Sequence, residues 1–179
     1  ILIARANAQV QYPARFQLVA AMNPCPCGHA GDTRVQCRCK PEQIRRYRDR
    51  LSGPLLDRID MHVMVPALPQ GEVLSPAAAG ESSQTVRERV CAARERQWQR
   101  QAKNNAALGT REIEQYCTLN EEQRELMARA MEKLGLSARA YHRVLKVSRT
   151  IADLASSECI QTAHLREALS YRNMDRGVM

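Results

Sequence analysis

Two short apolar runs constrain the fold of this chain more than any other feature. Phe16 to Ala21 reads FQLVAA, and Ile59 to Val65 reads IDMHVMV. Both have the length and composition of strands buried on both faces of a parallel sheet. A cysteine-rich loop and a basic segment with a helix start lie between them. This order of strand, excursion, helix and strand predicts the closing βαβ unit of a parallel sheet.

The first run ends at a polar residue placed for ligand binding. Pro24 has no N–H for a ladder, and it favours an extended or turn conformation at Asn23. The strand is therefore predicted over 16–23. Its end presents a carboxamide, which is both donor and acceptor, at the carboxyl edge where open α/β sheets hold ligands.

Residues 1–12 precede this strand and are predicted to form a β-hairpin. Apolar and polar residues alternate loosely on either side of Arg5-Ala6-Asn7, and asparagine tolerates the left-handed turn conformation. The hairpin either projects from the body, carrying Arg5 and Gln9 toward a ligand, or covers a sheet edge.

Four of the seven cysteines crowd into the loop over 24–40. They form two C-x-C pairs, Cys25 with Cys27 and Cys37 with Cys39. Four thiolates suit tetrahedral Zn²⁺, although this spacing is tighter than the usual C-x₂-C. Free thiols, or disulfides formed on isolation, are the competing interpretations. His29 is a substitute ligand or simply a loop residue.

A basic helix is predicted over 41–51, because Pro41 suits a first turn and an acid follows it. The chain carries a net charge of +8. Between Arg34 and Arg58 the sequence has eight lysines and arginines but only three acidic residues, so this stretch is a basic patch. Such a surface favours polyanions such as nucleic acid, although excess arginine can also serve solvation alone. The helix arginines placed to contact phosphates are Arg45, Arg46 and Arg48.

Arg58 stands immediately before the second predicted strand. That position puts it near the same sheet edge as Asn23 or on a rim facing a neighbouring subunit. From position alone, a surface ion pair with Asp57 or Asp60, of little energetic value, is the favoured interpretation.

The rest of the chain predicts a linker and a helical bundle. Residues 67–83 are rich in proline, glycine, alanine and serine and have no periodicity, so we predict a linker there. The spacing of Asn120 and Gln123 predicts a capping box at the start of a helix. Residues 84–179 are predicted to contain five amphipathic helices with short loops. One of them, capped by Ser137, carries Arg139 in its first turn. A cation there opposes the helix dipole, so Arg139 is either a solvent-exposed residue or a ligand for an anion.

Composition excludes several classes of protein. No apolar run approaches the roughly 20 residues of a transmembrane helix, so no membrane partner is expected. The odd cysteine count, with one local cluster, argues against a secreted disulfide scaffold and for a reducing compartment. The chain starts at Ile1, and no glycine-rich phosphate loop precedes the first predicted strand, so a fragment is expected.

Four stretches of this sequence resemble the ComM/YifB family of magnesium-chelatase-like AAA+ ATPases. They are FQLVAAMNPCPCG (16–28), CRC-x-PEQIRRY (37–47), SGPLLDRID (52–60) and SARAYHRVLKVSRTIADL (137–154). The resemblance implies the C-terminal part of an AAA+ parallel-sheet core over 1–66, with a helical lid over 84–179. Asn23 matches the sensor-1 residue, Arg58 the arginine finger and Arg139 the sensor-2 arginine.

The resemblance also implies a function. A bacterial cytoplasmic ATPase is expected, with ATP and Mg²⁺ bound between the subunits of a hexameric ring that drives branch migration of DNA during natural transformation. The hairpin with Arg5 would face the DNA channel. The sequence lacks both G-x-x-x-x-G-K-[ST] and an apolar strand ending in Asp-Glu, so this chain alone is expected to be inactive. Two alternatives remain: a metal-inserting subunit like that of magnesium chelatase, and a zinc-stabilised nucleic-acid-binding module without catalysis.

Overall fold

The computed structural model describes residues 1–5, 8–14, 16–66 and 80–172. The chain forms two compact units, 1–47 and 48–179. The predicted turn residues 6 and 7, residues 67–79 of the predicted linker, and residues 173–179 of the predicted lid lie outside the described residues.

The first unit contains a β-hairpin where the sequence predicts one. Strand β1 (Leu2–Arg5) pairs antiparallel with strand β2 (Ala8–Gln11). Ile3 faces Val10, and the N–H of Tyr12 bonds the carbonyl of Ile1 at 2.8 Å, which closes the open end. All the described hairpin residues are exposed.

The prediction of two buried strands is wrong for this structure. Residues 16–23 and 59–65 are irregular, and β1 with β2 is the only sheet among the described residues. Side chains predicted to be buried are exposed: Phe16 by 74%, Val19 by 84% and Val65 by 85%. The reason is that a parallel strand needs hydrogen-bonding neighbours, and the described part of the chain provides none for either run. The larger AAA+ core stays a prediction.

The basic helix is shorter than predicted. Helix α1 spans Pro41–Arg48, and Lys40 caps it as the N–H groups of Gln43 and Ile44 bond its carbonyl. Ser52 does not end this helix but begins the next, since its hydroxyl accepts from the N–H of Leu55 at 3.3 Å. Helix α2 spans Gly53–Leu56, with Pro54 in the first turn where no N–H is needed.

The remaining helices follow their apolar spacing closely. They are α3 (Ser83–Gln101), α4 (Thr110–Tyr116), α5 (Glu121–Leu134), α6 (Ala138–Leu154) and α7 (Thr162–Ser170), with a 3₁₀ turn at Asn105–Ala107. The predicted capping box of α5 is confirmed: Asn120 and Gln123 each bond the other's backbone N–H, at 2.9 and 3.0 Å. Gly135 ends α5 in the left-handed conformation, with φ of 62°.

Helix α6 is the centre of the bundle. It packs against α3, α4, α7 and the 3₁₀ turn. Its apolar face, with Val144 and Leu145, joins Met127 and Leu165 in a core from which water is excluded. None of the described helices combines the length and apolar composition that crossing a bilayer requires.

A buried polar network ties α3 to α6. Asp153, 1% exposed, accepts from Arg100 at 2.6 Å and from the amide of Asn105 at 2.8 Å. Arg149, 2% exposed, lies 3.1 Å from the same carboxylate. Burial acts to raise the pKa of Asp153, but the hydrogen bonds from Arg100 and Asn105 lower it overall. The carboxylate is therefore held ionised, and it fixes the end of α6 against α3.

Candidate functional site

The four clustered thiols converge on one point. The Sγ of Cys25 lies 3.4 Å from that of Cys27 and 3.7 Å from that of Cys37, and Cys27 and Cys37 are 3.6 Å apart. All four Sγ atoms, including that of Cys39, lie within 4.8 Å of one another. All four residues are free cysteines. The cluster can therefore bind a metal ion.

Glycine-dependent turns bring the thiols together. The N–H of Gly28 bonds the carbonyl of Cys25 at 3.0 Å, and Gly28 has φ of +84°, which side chains rarely adopt. The turn then aims the N–H of Ala30 at the Cys25 Sγ, 3.3 Å away. His29 faces Asp32 at 3.8 Å and is not one of the converging ligands.

The local electrostatics favour a thiolate at Cys27 and oppose one at Cys39. The backbone N–H groups of His29 and Arg38 lower the pKa of Cys27 to about 5. Burial, with the neighbouring thiol of Cys27, raises the pKa of Cys39 to about 12. The charge of one thiolate thus opposes ionisation of the next, which is the expected behaviour of thiols placed close enough to share one cation.

The arginines of α1 form a basic surface that follows the cluster directly. Arg45 and Arg46 are exposed, and Arg48 is partly buried. Cys39 lies two residues before the start of α1, so the loop and the helix are joined without a flexible spacer. Arg5 lies apart from these residues along the sequence, at the exposed end of β1.

Asn23 is exposed and follows the irregular segment 16–22. It makes no hydrogen bond within the described chain, and its amide lies 3.9 Å from where a Cβ at Gly28 would stand. Its carboxamide is thus available to a ligand.

Arg58 follows α2 and is exposed to solvent. The expected ion pair with Asp57 or Asp60 is not formed, because those carboxylates face Arg172 and Arg143 instead. Arg58 Nη1 donates to the carbonyl of Pro54 at 2.6 Å, which holds the guanidinium against its own helix. Since a carbonyl is a weaker partner than a carboxylate, this guanidinium remains able to meet an anion.

Arg139 lies in the first turn of α6. Ser137 caps this helix by accepting from the N–H of Ala140 at 3.1 Å. Arg139 is exposed and has no ion pair among the residues that the structure describes.

The structure brings together the four thiols of the cysteine cluster. Asn23 belongs to the first compact unit, and Arg58 and Arg139 belong to the second.

Sequence reasoning missed two arginines that hold the segment after Arg58. Arg143 forms an ion pair with Asp60, and Arg172 donates to the carbonyl of Ile59 at 2.5 Å. No spacing rule could have found either contact, because the partners are 83 and 113 residues apart in sequence.

Comparison with known proteins agrees with the motifs. The family described as "Magnesium chelatase, subunit ChlI" matches residues 1–73, and "Magnesium chelatase, subunit ChlI C-terminal" matches residues 80–172. The chain is 54% identical to Competence protein ComM of Haemophilus influenzae over 98% of its length. It is 51% identical to YifB of Escherichia coli and 50% identical to YifB of Salmonella typhimurium, again over 98% of its length. It spans 34% of each of these bacterial proteins. The resemblance seen in the sequence is confirmed, and the chain belongs to the magnesium-chelatase-like AAA+ family, in the group that includes ComM and YifB.

Proposed function

We propose that this chain is part of a ring-forming AAA+ ATPase that remodels DNA, driving branch migration during natural transformation. The observation that carries the proposal is the 54% identity to a protein named for competence across nearly the whole chain. Because the chain spans about a third of that relative, the activity belongs to the full-length protein.

The exposed polar residues fit a nucleotide site shared between subunits. When bound, ATP with Mg²⁺ supplies the phosphoryl group whose transfer to water drives the motor. Arg58, exposed and bonded only to a carbonyl, would exchange this partner for the γ-phosphate held by the next subunit. A planar cation there stabilises the charge that develops during phosphoryl transfer.

Asn23 and Arg139 have separate roles in this proposal. Asn23 orients the attacking water through its free carboxamide. Arg139 binds the γ-phosphate from the first turn of α6, where an anion would also relieve the unfavourable helix dipole. Since Arg139 lies on the lid, its contact couples the lid angle to nucleotide state.

The cysteine cluster holds Zn²⁺ in this proposal. A tetrahedral ion with Zn–S bonds of about 2.3 Å places its ligands about 3.8 Å apart. The three Sγ–Sγ distances of 3.4, 3.6 and 3.7 Å are close to that ligand-to-ligand distance. These distances are far longer than a disulfide bond of about 2.05 Å, in agreement with four free thiols. Because Cys39 is joined so closely to α1, the ion would fix the start of the basic helix.

The basic surface contacts DNA phosphates without reading sequence. Arg5, Arg45, Arg46 and Arg48 supply the positive charge, and the exposed guanidiniums of α1 are free to follow a backbone. Such contacts suit a motor that moves along DNA of any sequence.

Removing two of these charges should weaken DNA binding in a salt-dependent way. In the full-length protein, the double substitution Arg45→Ala with Arg46→Ala is expected to reduce the slope of log affinity against log salt by about 1.8, since each phosphate contact contributes about 0.9. Titration of a labelled DNA duplex at several salt concentrations measures the slope. The matched control replaces Arg111 and Arg129, which are exposed on α4 and α5.

An unchanged slope in the first variant, with normal binding, would remove the basic surface of α1 from the interface. A full-length protein that shows no salt-dependent DNA binding at all would favour the second candidate, a metal-inserting ATPase subunit. The family description, magnesium chelatase subunit ChlI, supports that candidate. It would share the nucleotide residues but would need neither the basic helix nor the cysteine cluster.

A further inference from the structure

The segment that follows Arg58 is held by the helical bundle at three points. We propose that Arg143 and Arg172 are positioning residues for Arg58, so that the helical lid sets the direction of the arginine offered to the neighbouring subunit. The inference rests on the proposed role of Arg58. It assigns to the lid a second task, which is to hold that arginine in place.

The deepest contact is made by Arg172, which follows α7. Its side chain is 1% exposed, and Nη1 donates to the carbonyl of Ile59 at 2.5 Å. Another guanidinium nitrogen lies 3.7 Å from the carboxylate of Asp57. A buried guanidinium is costly to leave without its partners, so this contact resists opening. Residues 57 and 59, on either side of Arg58, are therefore fixed to the end of α7.

Two further contacts continue the attachment. The backbone N–H of His62 donates to the carbonyl of Tyr171 at 2.7 Å, and the His62 side chain is only 6% exposed. Arg143 of α6 forms an ion pair with Asp60. We call these contacts, together with those of Arg172, the lid clamp. The lid clamp holds residues 57–62 through α6 and through the two residues that follow α7.

The position of Arg58 follows from this arrangement. Before it, α2 is set by the Ser52 cap, and after it the chain is fixed by the lid clamp. The guanidinium itself is exposed and makes a single bond to its own helix, so its direction depends on the backbone at 57–60. A shift of α6 or α7 would move that backbone and the arginine with it.

Helix α6 carries both Arg143 of this clamp and Arg139, the proposed phosphate ligand. Arg139 and Arg143 are one helical turn apart on α6. The proposed phosphate ligand Arg139 and the ion pair of Arg143 with Asp60 therefore lie on the same helix and would move together. An α6 that moves on nucleotide binding would carry Arg58 with it, and the neighbouring site would respond.

Charge reversal tests the clamp in the full-length protein. Arg143→Asp is expected to lower kcat for ATP hydrolysis by about 10- to 100-fold with little change in KM, since an error of about 1 Å at a catalytic group has effects of this size. Combining it with Asp60→Arg should restore most of the lost rate. A merely structural role for Arg143 would lower the stability of the fold but leave kcat of the folded protein unchanged. The control is Arg124→Asp, which breaks an exposed pair with Glu121 on α5 and should leave the rate unchanged.

Hydrogen exchange at the His62 amide separates the outcomes. Faster exchange in Arg143→Asp with unchanged ATPase activity would show that the clamp exists but does not position Arg58, and would overturn the inference. If Arg143→Asp fails to fold, Asp60→Asn removes the same attraction from an exposed side chain and should lower kcat in the same direction. An Asp60→Asn variant with full activity would also overturn it. Failure of the proposed function is a different result, namely full activity in Arg58→Ala itself.

Discussion

Replacement of Arg58 by alanine in the full-length protein is expected to lower the ATPase rate by about 10³-fold or more. Arginine fingers contribute about 10³ to 10⁵ to phosphoryl transfer because they neutralise charge in the transition state. The side chain is exposed and bonded to one carbonyl, so its removal costs the fold little. Steady-state phosphate release, compared at equal protein concentration, measures the effect.

Two companion variants make this prediction specific. Arg58→Lys keeps the charge but loses the planar fork, so it should recover little of the rate. Arg50→Ala removes an equally charged, exposed residue eight positions earlier and should leave the rate nearly unchanged. Equal rates for Arg58→Ala and Arg50→Ala would exclude Arg58 from the chemistry.

The second large effect is the loss of zinc from the cysteine cluster when one of its four thiols is removed. The purified full-length protein should carry one zinc ion per chain at this cluster, and Cys25→Ser should abolish its binding. Cys25 is fully buried, lies close to two other thiols and accepts from the N–H of Ala30. A serine hydroxyl is a poor ligand for this ion, so only three thiolates would remain, and the tetrahedral set of four ligands would be incomplete. Elemental analysis and colorimetric zinc release measure the stoichiometry.

Cys91→Ser is the matched control, because Cys91 is exposed on α3 and lies outside the cluster. Retention of one zinc ion in Cys91→Ser and its loss in Cys25→Ser would support the assignment. Protein that carries no zinc even when purified with added metal, or the same zinc content in both variants, would contradict it.

Local sequence signals predicted the helical part of the fold well. Apolar spacing and the Asn120 cap located α5 to within a residue, because capping and amphipathic faces depend on residues three or four positions apart. The segments at 16–23 and 59–65 were predicted less well. A buried strand forms only when other strands, distant in sequence, are present to pair with it. The composition of the segment alone does not show whether those strands are present.

The candidate site shows the same division. The convergence of the four thiols could be predicted from the C-x-C pairs and the glycines between them. The lid clamp could not, because Arg172 meets Ile59 only through the packing of α7 against a distant segment. For Arg58, position alone favoured a surface ion pair, and only the family resemblance gave it a role. Arg139 had a local signal, because a cation in a first turn opposes the helix dipole.

The most direct test of the account mixes two inactive forms of the full-length protein. One carries Arg58→Ala, and the other lacks the phosphate-binding lysine that AAA+ proteins carry in their Walker A motif, which lies outside these 179 residues. If Arg58 acts on the nucleotide of its neighbour, mixed rings contain interfaces with an intact lysine on one side and an intact Arg58 on the other. ATPase activity should then return in the mixture and peak near equal proportions. Mixtures that form rings but stay as inactive as either variant alone would contradict the account.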